Sequence, residues 1–274
     1  MTIVELAVIF FAGIATGILG ALLGLGGGVF LIPFLVLAFG IPMHVAIATS
    51  LVAIIATSSA GAIVNLGRHT VNIRLGMLLE TLTVFGAICG GITAGYLRGS
   101  TLTLIFGVVL LIVSVILFFK RNNSDQLHLK DEERGELGGI LIDPTTQQEH
   151  PYAVHRVPWT MLVSLVAGNV SGLLGVGGGI FKVPAMYLIS GIPIKAATAT
   201  SNFMIGVTAA ASAFIYFSNG YIDPVLASVA AMGVLPGSLL GTSISHRIKS
   251  KTIILILNAL IIVIATQMIW KSLR

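Results

Sequence analysis

Charged residues are scarce in this 274-residue chain: Lys, Arg, Asp and Glu make up 9% of it, against roughly 25% in an average soluble domain. Cysteine is nearly absent as well, and the single Cys89 excludes a disulfide framework within one copy of the chain. The six histidines are scattered, so the sequence offers no cluster for a metal ion or a catalytic base. These shortages disfavour a disulfide-rich secreted domain and a metalloenzyme, and we expect no cofactor.

Apolar residues dominate instead. The chain is 56% hydrophobic and its mean hydropathy is +1.02, so most of it is expected to lie in the lipid bilayer. A segment that crosses a bilayer must satisfy its backbone groups internally, which only helices and closed barrels achieve. The apolar runs are much longer than the ~10 residues of a barrel strand. The sequence therefore predicts an all-α polytopic membrane protein.

The chain also contains an internal repeat with an offset of 151 residues. Of the 34 positions from Gly17 to Ser50, 17 are identical to the residue 151 positions later, in the segment from Gly168 to Ser201. Roughly a tenth would be expected by chance, so we interpret the chain as a duplication. The same offset pairs Asn72 with Asp223, and both residues precede apolar runs where they are expected to be helix N-caps.

Apolar runs bounded by turn signals predict five helices in each half. They lie near residues 3–23, 29–39, 44–66, 72–97 and 101–119, and again near 158–174, 180–190, 195–217, 224–246 and 252–270. We expect a first transmembrane repeat over 1–119 and a second over 158–274. Each would contain a glycine-broken short helix pair and three spanning helices. Residues 120–157 hold 12 of the 25 charged residues and are predicted to be a solvated, flexible, cytoplasmic linker.

Three consecutive glycines interrupt the apolar sequence at the same place in both halves, at Gly26, Gly27 and Gly28 and at Gly177, Gly178 and Gly179. Each glycine costs about 1 kcal/mol relative to alanine inside a helix, so a triplet favours unwinding. The segments that follow are about 16 Å long, too short to cross a ~30 Å core. Freed amides at the start of such half-helices present partial positive charge, which predicts an anion site near the bilayer midplane. Close helix packing is the alternative explanation.

Polar residues follow on the next helix of each half and are candidate anion donors. They are Thr49 and Ser50 in the first half, and Thr200, Ser201 and Asn202 in the second. Serine and threonine in membrane helices often bond only to the backbone, so a structural role stays open for each. Their recurrence at equivalent positions favours a function.

Two ionisable residues fall within predicted membrane helices. Lys182 lies in a half-helix and is a candidate anion ligand, the alternative being a side chain that snorkels to the interface. Glu80 is a candidate for proton coupling, the alternative being an ion pair with Arg74 or another neighbour near the interface.

The distribution of basic residues predicts the orientation. With the linker in the cytoplasm, eleven Lys and Arg residues lie on the cytoplasmic side, three (Arg98, Lys271 and Arg274) lie outside, and Lys182 stays in the membrane. Both termini are then outside. The odd number of crossings in each half makes the two repeats inverted in topology. Because the basic residues lie at helix ends and form no patch, we expect no nucleic-acid partner.

The chain resembles the sulfite exporter family TauE/SafE, also called the 4-toluene sulfonate uptake permease family. The resemblance rests on the doubled Gly-x-Gly-Gly-Gly-x-Phe-x-x-Pro, the following Gly-Ile-Pro and the Ala-Thr-Ser, and covers both halves. It implies a permease of a prokaryotic cytoplasmic membrane that moves small sulfur-containing anions such as sulfite or sulfonates, usually outward.

We therefore expect a secondary transporter that works by alternating access, in which one repeat rocks against the other around the glycine breaks. Protons are a candidate coupling ion. A passive anion channel is the alternative within membranes, and a membrane-embedded enzyme is the alternative from another class. The sequence leaves the substrate, the direction of transport and the oligomeric state open.

Overall fold

A computed structural model of the chain describes residues 2–23, 26–67, 70–120, 135–142, 149–245 and 250–273. Several basic residues used in the orientation argument lie outside the described residues, namely Arg68, Arg121, Lys130, Arg134, Arg247, Lys249 and Arg274. The twelve candidate anion-site residues and Glu80 are all described.

The described residues form ten helices, and the prediction of an all-α membrane protein is confirmed. The first half contains α1 (Ile3–Leu23), α2 (Gly28–Phe39), α3 (Met43–Gly67), α4 (Ile73–Tyr96) and α5 (Gly99–Lys120). The second half contains α6 (Val157–Leu174), α7 (Gly179–Leu188), α8 (Ile194–Ser218), α9 (Pro224–Ser245) and α10 (Ser250–Leu273). Every helix begins and ends within three residues of its predicted bounds.

Seven of the described helices are long and apolar enough to span a membrane, namely α1, α3, α4, α5, α6, α8 and α9. By contrast, α2 has 12 residues and α7 has 10, so each extends about 15–18 Å and spans only part of a bilayer. Both Asn72 and Asp223 cap the helices that they precede, as predicted. Their side-chain oxygens accept the amide protons of Leu75 at 3.1 Å and Leu226 at 3.0 Å.

Contacts between turns define the two ends of the bundle. At one end, Nε2 of His44 lies 3.1 Å from the carbonyl oxygen of Ala94, and the His44 ring stacks on Tyr221. At the other end, the amide of Asn72 donates to Oγ1 of Thr200 at 2.9 Å, and the turn 189–193 contacts His155. The turn 40–42 lies at the first end, whereas its counterpart 191–193 lies at the second.

Helices of one half pack closely against helices of the other half. The most extensive helix pairings are α4 with α6 and α1 with α9, and each joins one half to the other. A Cβ at Gly86 would overlap the carbonyl oxygen of Leu165, and a Cβ at Gly237 would overlap that of Ile14. These two contacts are equivalent under the offset of 151. Glycine therefore lets both pairs of helices approach to backbone contact.

The linker contains structure that the sequence did not predict. Strands β1 (Gly139–Ile142) and β2 (Glu149–Tyr152) form an antiparallel hairpin in which Gly139 pairs with Tyr152. The Tyr152 side chain is buried in an apolar cluster with Leu75 of α4 and Met186 of α7. The carbonyl oxygen of Leu137 accepts a hydrogen bond from Nδ2 of Asn72 at 2.9 Å. The hairpin thus packs against helices of both halves.

Candidate functional site

Both glycine triplets interrupt their helices, as predicted. Gly26 and Gly27 have φ angles of 75° and 79°, and Gly177 and Gly178 have φ angles of 78° and 69°. Left-handed backbone of this kind strongly favours glycine. The N-caps of α2 and α7 are Gly27 and Gly178, which provide no side-chain hydrogen bond. The first amides of both helices are therefore left without a side-chain cap.

The two breaks lie against the same pair of side chains, Ile54 of α3 and Ile205 of α8. A Cβ at Gly26 would lie 3.4 Å from Cγ2 of either isoleucine. A Cβ at Gly177 would lie 2.8 Å from Cγ2 of Ile205 and 3.6 Å from Cδ1 of Ile54. We call Ile54 and Ile205 the isoleucine pair. Each is the twelfth residue of a 25-residue helix, so the breaks converge at the middle of α3 and α8.

Ser50 connects the two breaks directly. Its hydroxyl donates to the carbonyl oxygen of Gly175 at 2.9 Å, in the break of the other half. A Cβ at Gly28 would overlap this same hydroxyl. In this conformation the Ser50 hydroxyl therefore bonds to the backbone. This is the structural role given above as the alternative to anion binding.

The remaining predicted donors differ in their surroundings. Thr49 and Ser201 are buried, and within the described part of the chain their hydroxyls have no hydrogen-bond partner. Thr200 is not at a break, because its hydroxyl accepts the amide proton of Asn72 at the start of α4. The backbone oxygen of Asn202 accepts a hydrogen bond from Ser58.

A small cavity of about 20 Å³, enough for roughly one water molecule, lies beside the first break. It is lined by Gly20, Ala21, Gly26, Thr57, Ser58, Gly61, Asn202, Ile205, Ser238 and Thr242. Four of these polar residues (Thr57, Ser58, Ser238 and Thr242) were missed by the sequence argument. Three of them have Ala209, Ala87 and Gly91 as counterparts, so recurrence at equivalent positions could not have found them.

The two charged candidates form a buried ion pair. Nζ of Lys182 lies 3.2 Å from Oε2 of Glu80, and it also donates to Oγ1 of Thr208 at 2.9 Å. The Thr208 hydroxyl in turn donates to Oε1 of Glu80. Side-chain exposure is 0% for Lys182 and 7% for Glu80. Lys182 therefore does not snorkel to the interface, and Glu80 forms an ion pair, as its alternative expected, but with buried Lys182 rather than with Arg74.

The ion pair joins one residue of each half, and the offset of 151 gives it no second copy. The residues equivalent to Glu80 and Lys182 are Ala231 and Leu31, whereas Thr208 is matched by Thr57. Thr57 instead donates to backbone oxygens, including that of Gly26 at 3.3 Å. The two halves thus share their glycine breaks but differ in charge.

Comparison with known proteins identifies the family of the chain. The profile of the family described as "Sulfite exporter TauE/SafE" matches residues 9–268. The chain belongs to this family. "Probable membrane transporter protein YunE" of Bacillus subtilis (strain 168) is 26% identical over 267 residues, covering 95% of this chain and 96% of its own length.

Other prokaryotes contain similar proteins. "Probable membrane transporter protein MJ0441" of Methanocaldococcus jannaschii is 25% identical and covers 93% of this chain and 92% of its own length. A "Probable membrane transporter protein" of Xylella fastidiosa (strain 9a5c) is 26% identical over 99% of this chain and 98% of its own length. No solved structure gives a significant match. The family and these relatives indicate a multi-span membrane transporter.

Proposed function

We propose that the protein is a secondary transporter that exports or exchanges small sulfur-containing anions, such as sulfite or sulfonates, by alternating access. The observation that carries this proposal is the convergence of both glycine breaks on the isoleucine pair. Two half-helices that begin at one central point offer uncapped amides from both halves, and helix N-termini are favourable for anions. Broken helices around a central site are the usual arrangement in secondary transporters.

The proposed binding groups are the amides of Gly26 to Gly28 and Gly177 to Gly179, together with the buried hydroxyls of Thr49 and Ser201. Ser50 and Asn202 would join them when the site widens. A cavity of about 20 Å³ holds roughly one water molecule, so an anion of sulfite size requires the halves to separate here. Breaking the bond from Ser50 to Gly175 would release the Ser50 hydroxyl for the anion.

We also propose that the moving bodies are not the two sequence repeats. The close backbone contacts hold α1 to α9 and α4 to α6, across the repeats. One body would contain α1, α2, α3 and α9, and the other α6, α7, α8 and α4. Each body then contains one glycine break, and the bodies meet where α3 crosses α8. Motion about this crossing changes the shape of the site without separating the glycine-packed helices.

The orientation proposed from the basic residues puts the linker in the cytoplasm and both termini outside a prokaryotic inner membrane. Equivalent turns at opposite ends of the bundle support inverted repeats. A carrier is favoured over an open channel because the isoleucine pair fills the space between the breaks.

Counterflow in liposomes tests the function. Purified protein in vesicles loaded with unlabelled sulfite should accumulate external radiolabelled sulfite, with a rate that saturates. Competing sulfate, thiosulfate, sulfoacetate and taurine would define the selectivity. A current that grows without saturation would indicate a channel, and the absence of counterflow with every anion would reject the proposal.

Two glycine variants provide a matched control. Gly178→Ala should abolish counterflow, because its Cβ, in the break, would lie 2.9 Å from the carbonyl oxygen of Ala167 in α6. Gly220→Ala has a similar left-handed φ, but a Cβ there meets nothing within 4 Å. It should retain counterflow.

A further inference from the structure

Lys182 and Glu80 neutralise each other inside the bundle, and uncharged Leu31 and Ala231 occupy the equivalent positions. An isolated buried charge is disfavoured by several kcal/mol, so each of these groups needs an opposite charge nearby. An anion that approaches Lys182 would compete with the Glu80 carboxylate for the same ammonium. This competition determines whether a proton is taken up when the anion binds.

On the basis of the proposed transport function, we infer that the transported anion replaces Glu80 as the charge partner of Lys182, and that Glu80 takes up one proton when it does so. The step is balanced. A monoanion and a proton from water enter the site, the carboxylate becomes a carboxylic acid, and the ammonium keeps its charge. The net charge of the site is zero before and after binding.

The position of the ion pair puts it within reach of the breaks. Lys182 lies in the first turn of α7, and its amide donates to the carbonyl oxygen of Gly178 at 3.2 Å. Helical side chains lean towards the helix N-terminus, so the ammonium extends back towards the break. Its hydroxyl partner Thr208 is three residues, or about 4.5 Å of helix rise, beyond Ile205 of the isoleucine pair. An anion at the α7 N-terminus would thus lie next to this ammonium.

The Thr208 hydroxyl can form hydrogen bonds both with the ion pair and with a bound anion. Its hydroxyl now accepts from Lys182 and donates to Glu80. A rotatable hydroxyl can donate instead to an incoming oxyanion.

No other charge is positioned to replace either partner within the described residues. Helix α6, which packs along α4, contains no ionisable side chain. The other ionisable residues of α4, α7 and α8 are Arg74, Cys89, Tyr96, Tyr187, Lys195 and Tyr216. Among the described cations on α4, α7 and α8, only Lys182 lies within ion-pair distance of Glu80. Because Leu31 and Ala231 occupy the equivalent positions, the site exists once and one proton should accompany each anion.

Proton uptake on binding tests the inference. Methanesulfonate is a suitable probe because it is a fully ionised monoanion and does not itself exchange protons near neutral pH. Binding would be measured by calorimetry, and proton uptake by a pH-indicator dye in weakly buffered detergent solution. Wild-type protein should take up one proton per bound anion. Binding without proton uptake would overturn the inference while leaving the transport function standing.

Variants distinguish the role of the Glu80 carboxylate in proton uptake from its role in folding. Glu80→Gln should bind the anion without proton uptake. The double variant Glu80→Ala with Lys182→Leu gives each position the residue of its counterpart, Ala231 or Leu31, and removes both charges, so it should remain folded. It should show no proton uptake and bind about tenfold more weakly or worse, at ~1.4 kcal/mol per factor of ten.

The matched control is Asp223→Asn, an exposed carboxylate whose counterpart in the first half is already Asn72. It should bind as wild type does, with one proton per anion. One proton taken up by Glu80→Gln would overturn the inference. Failure of folded wild-type protein to bind methanesulfonate, sulfite, sulfate or sulfoacetate would reject the transport function and the inference together.

Discussion

Ile54 and Ile205, related by the offset of 151, both lie against Gly26 and Gly177 at the middle of α3 and α8. Their exposures are 0% and 1%, so the two side chains themselves are fully buried between the breaks. A transporter must keep its two aqueous sides apart while its site changes exposure. The isoleucine pair is the apolar barrier at the centre of the proposed path.

Shortening both members of the pair should therefore open a leak. We expect Ile54→Ala with Ile205→Ala to give anion flux that no longer saturates, measured in the sulfite-loaded vesicles. Each substitution should also destabilise the fold by about 2–4 kcal/mol, since it creates a cavity.

Leu75→Ala is the matched control for that loss of stability. Leu75 is equally buried but lies in the cluster beside the hairpin. Its replacement should lower the melting temperature by a similar amount without a leak. If the Ile54→Ala and Ile205→Ala double variant showed no leak, the barrier would lie elsewhere.

Gly177→Ala should destabilise the fold through two separate effects. A left-handed φ of 78° costs a non-glycine residue about 1–2 kcal/mol, and the new Cβ would lie 2.8 Å from Cγ2 of Ile205. Gly220→Ala shares only the first effect, so thermal unfolding should show a smaller loss. Adding Ile205→Ala to Gly177→Ala should recover part of the difference. Equal losses for Gly177→Ala and Gly220→Ala would contradict the contact.

Most of the fold could be predicted because its signals are local or repetitive. Long apolar runs define the helices, glycine triplets define the breaks, and Asn72 and Asp223 define two helix starts. The linker hairpin was missed because it depends on distant contacts, with Tyr152 buried against α4 and α7. A short polar stretch has no pattern that predicts such packing.

The candidate site was predictable only at positions where the two halves have the same residue. Glu80 and Lys182 were each noticed as costly charges in a membrane, but 102 residues separate them and nothing in the chain indicated that they pair. Thr200 recurs with Thr49, yet it holds the start of α4 because the hairpin end of the bundle brings Asn72 against it. Repetition identifies equivalent positions, whereas the partner of each position depends on how the helices cross.

Removing the Tyr152 side chain should release the hairpin from the bundle. The ring is 5% exposed, and loss of a buried aromatic side chain costs about 3–5 kcal/mol. Tyr152→Ala should therefore speed tryptic cleavage after the exposed Arg156. Tyr152→Phe keeps the ring packing and removes the hydroxyl that accepts from Nδ2 of Asn72 at 3.4 Å, so its cleavage rate should stay close to that of wild type. Equal cleavage of Tyr152→Ala and wild type would show that the ring does not hold the hairpin.

A disulfide between α1 and α9 would distinguish the two choices of moving bodies. A Cβ at Gly241 would lie 2.9 Å from Cβ of Ala21, close enough for Ala21→Cys and Gly241→Cys to form a bond after a small shift. Cys89→Ala removes the native thiol from the background. If α1 and α9 move as one body, the oxidised variant should retain the counterflow rate of the reduced variant. If the sequence repeats move as units, oxidation should abolish counterflow and dithiothreitol should restore it. Tryptic cleavage after Arg156 followed by non-reducing electrophoresis verifies the bond, because only an oxidised protein keeps its two halves together.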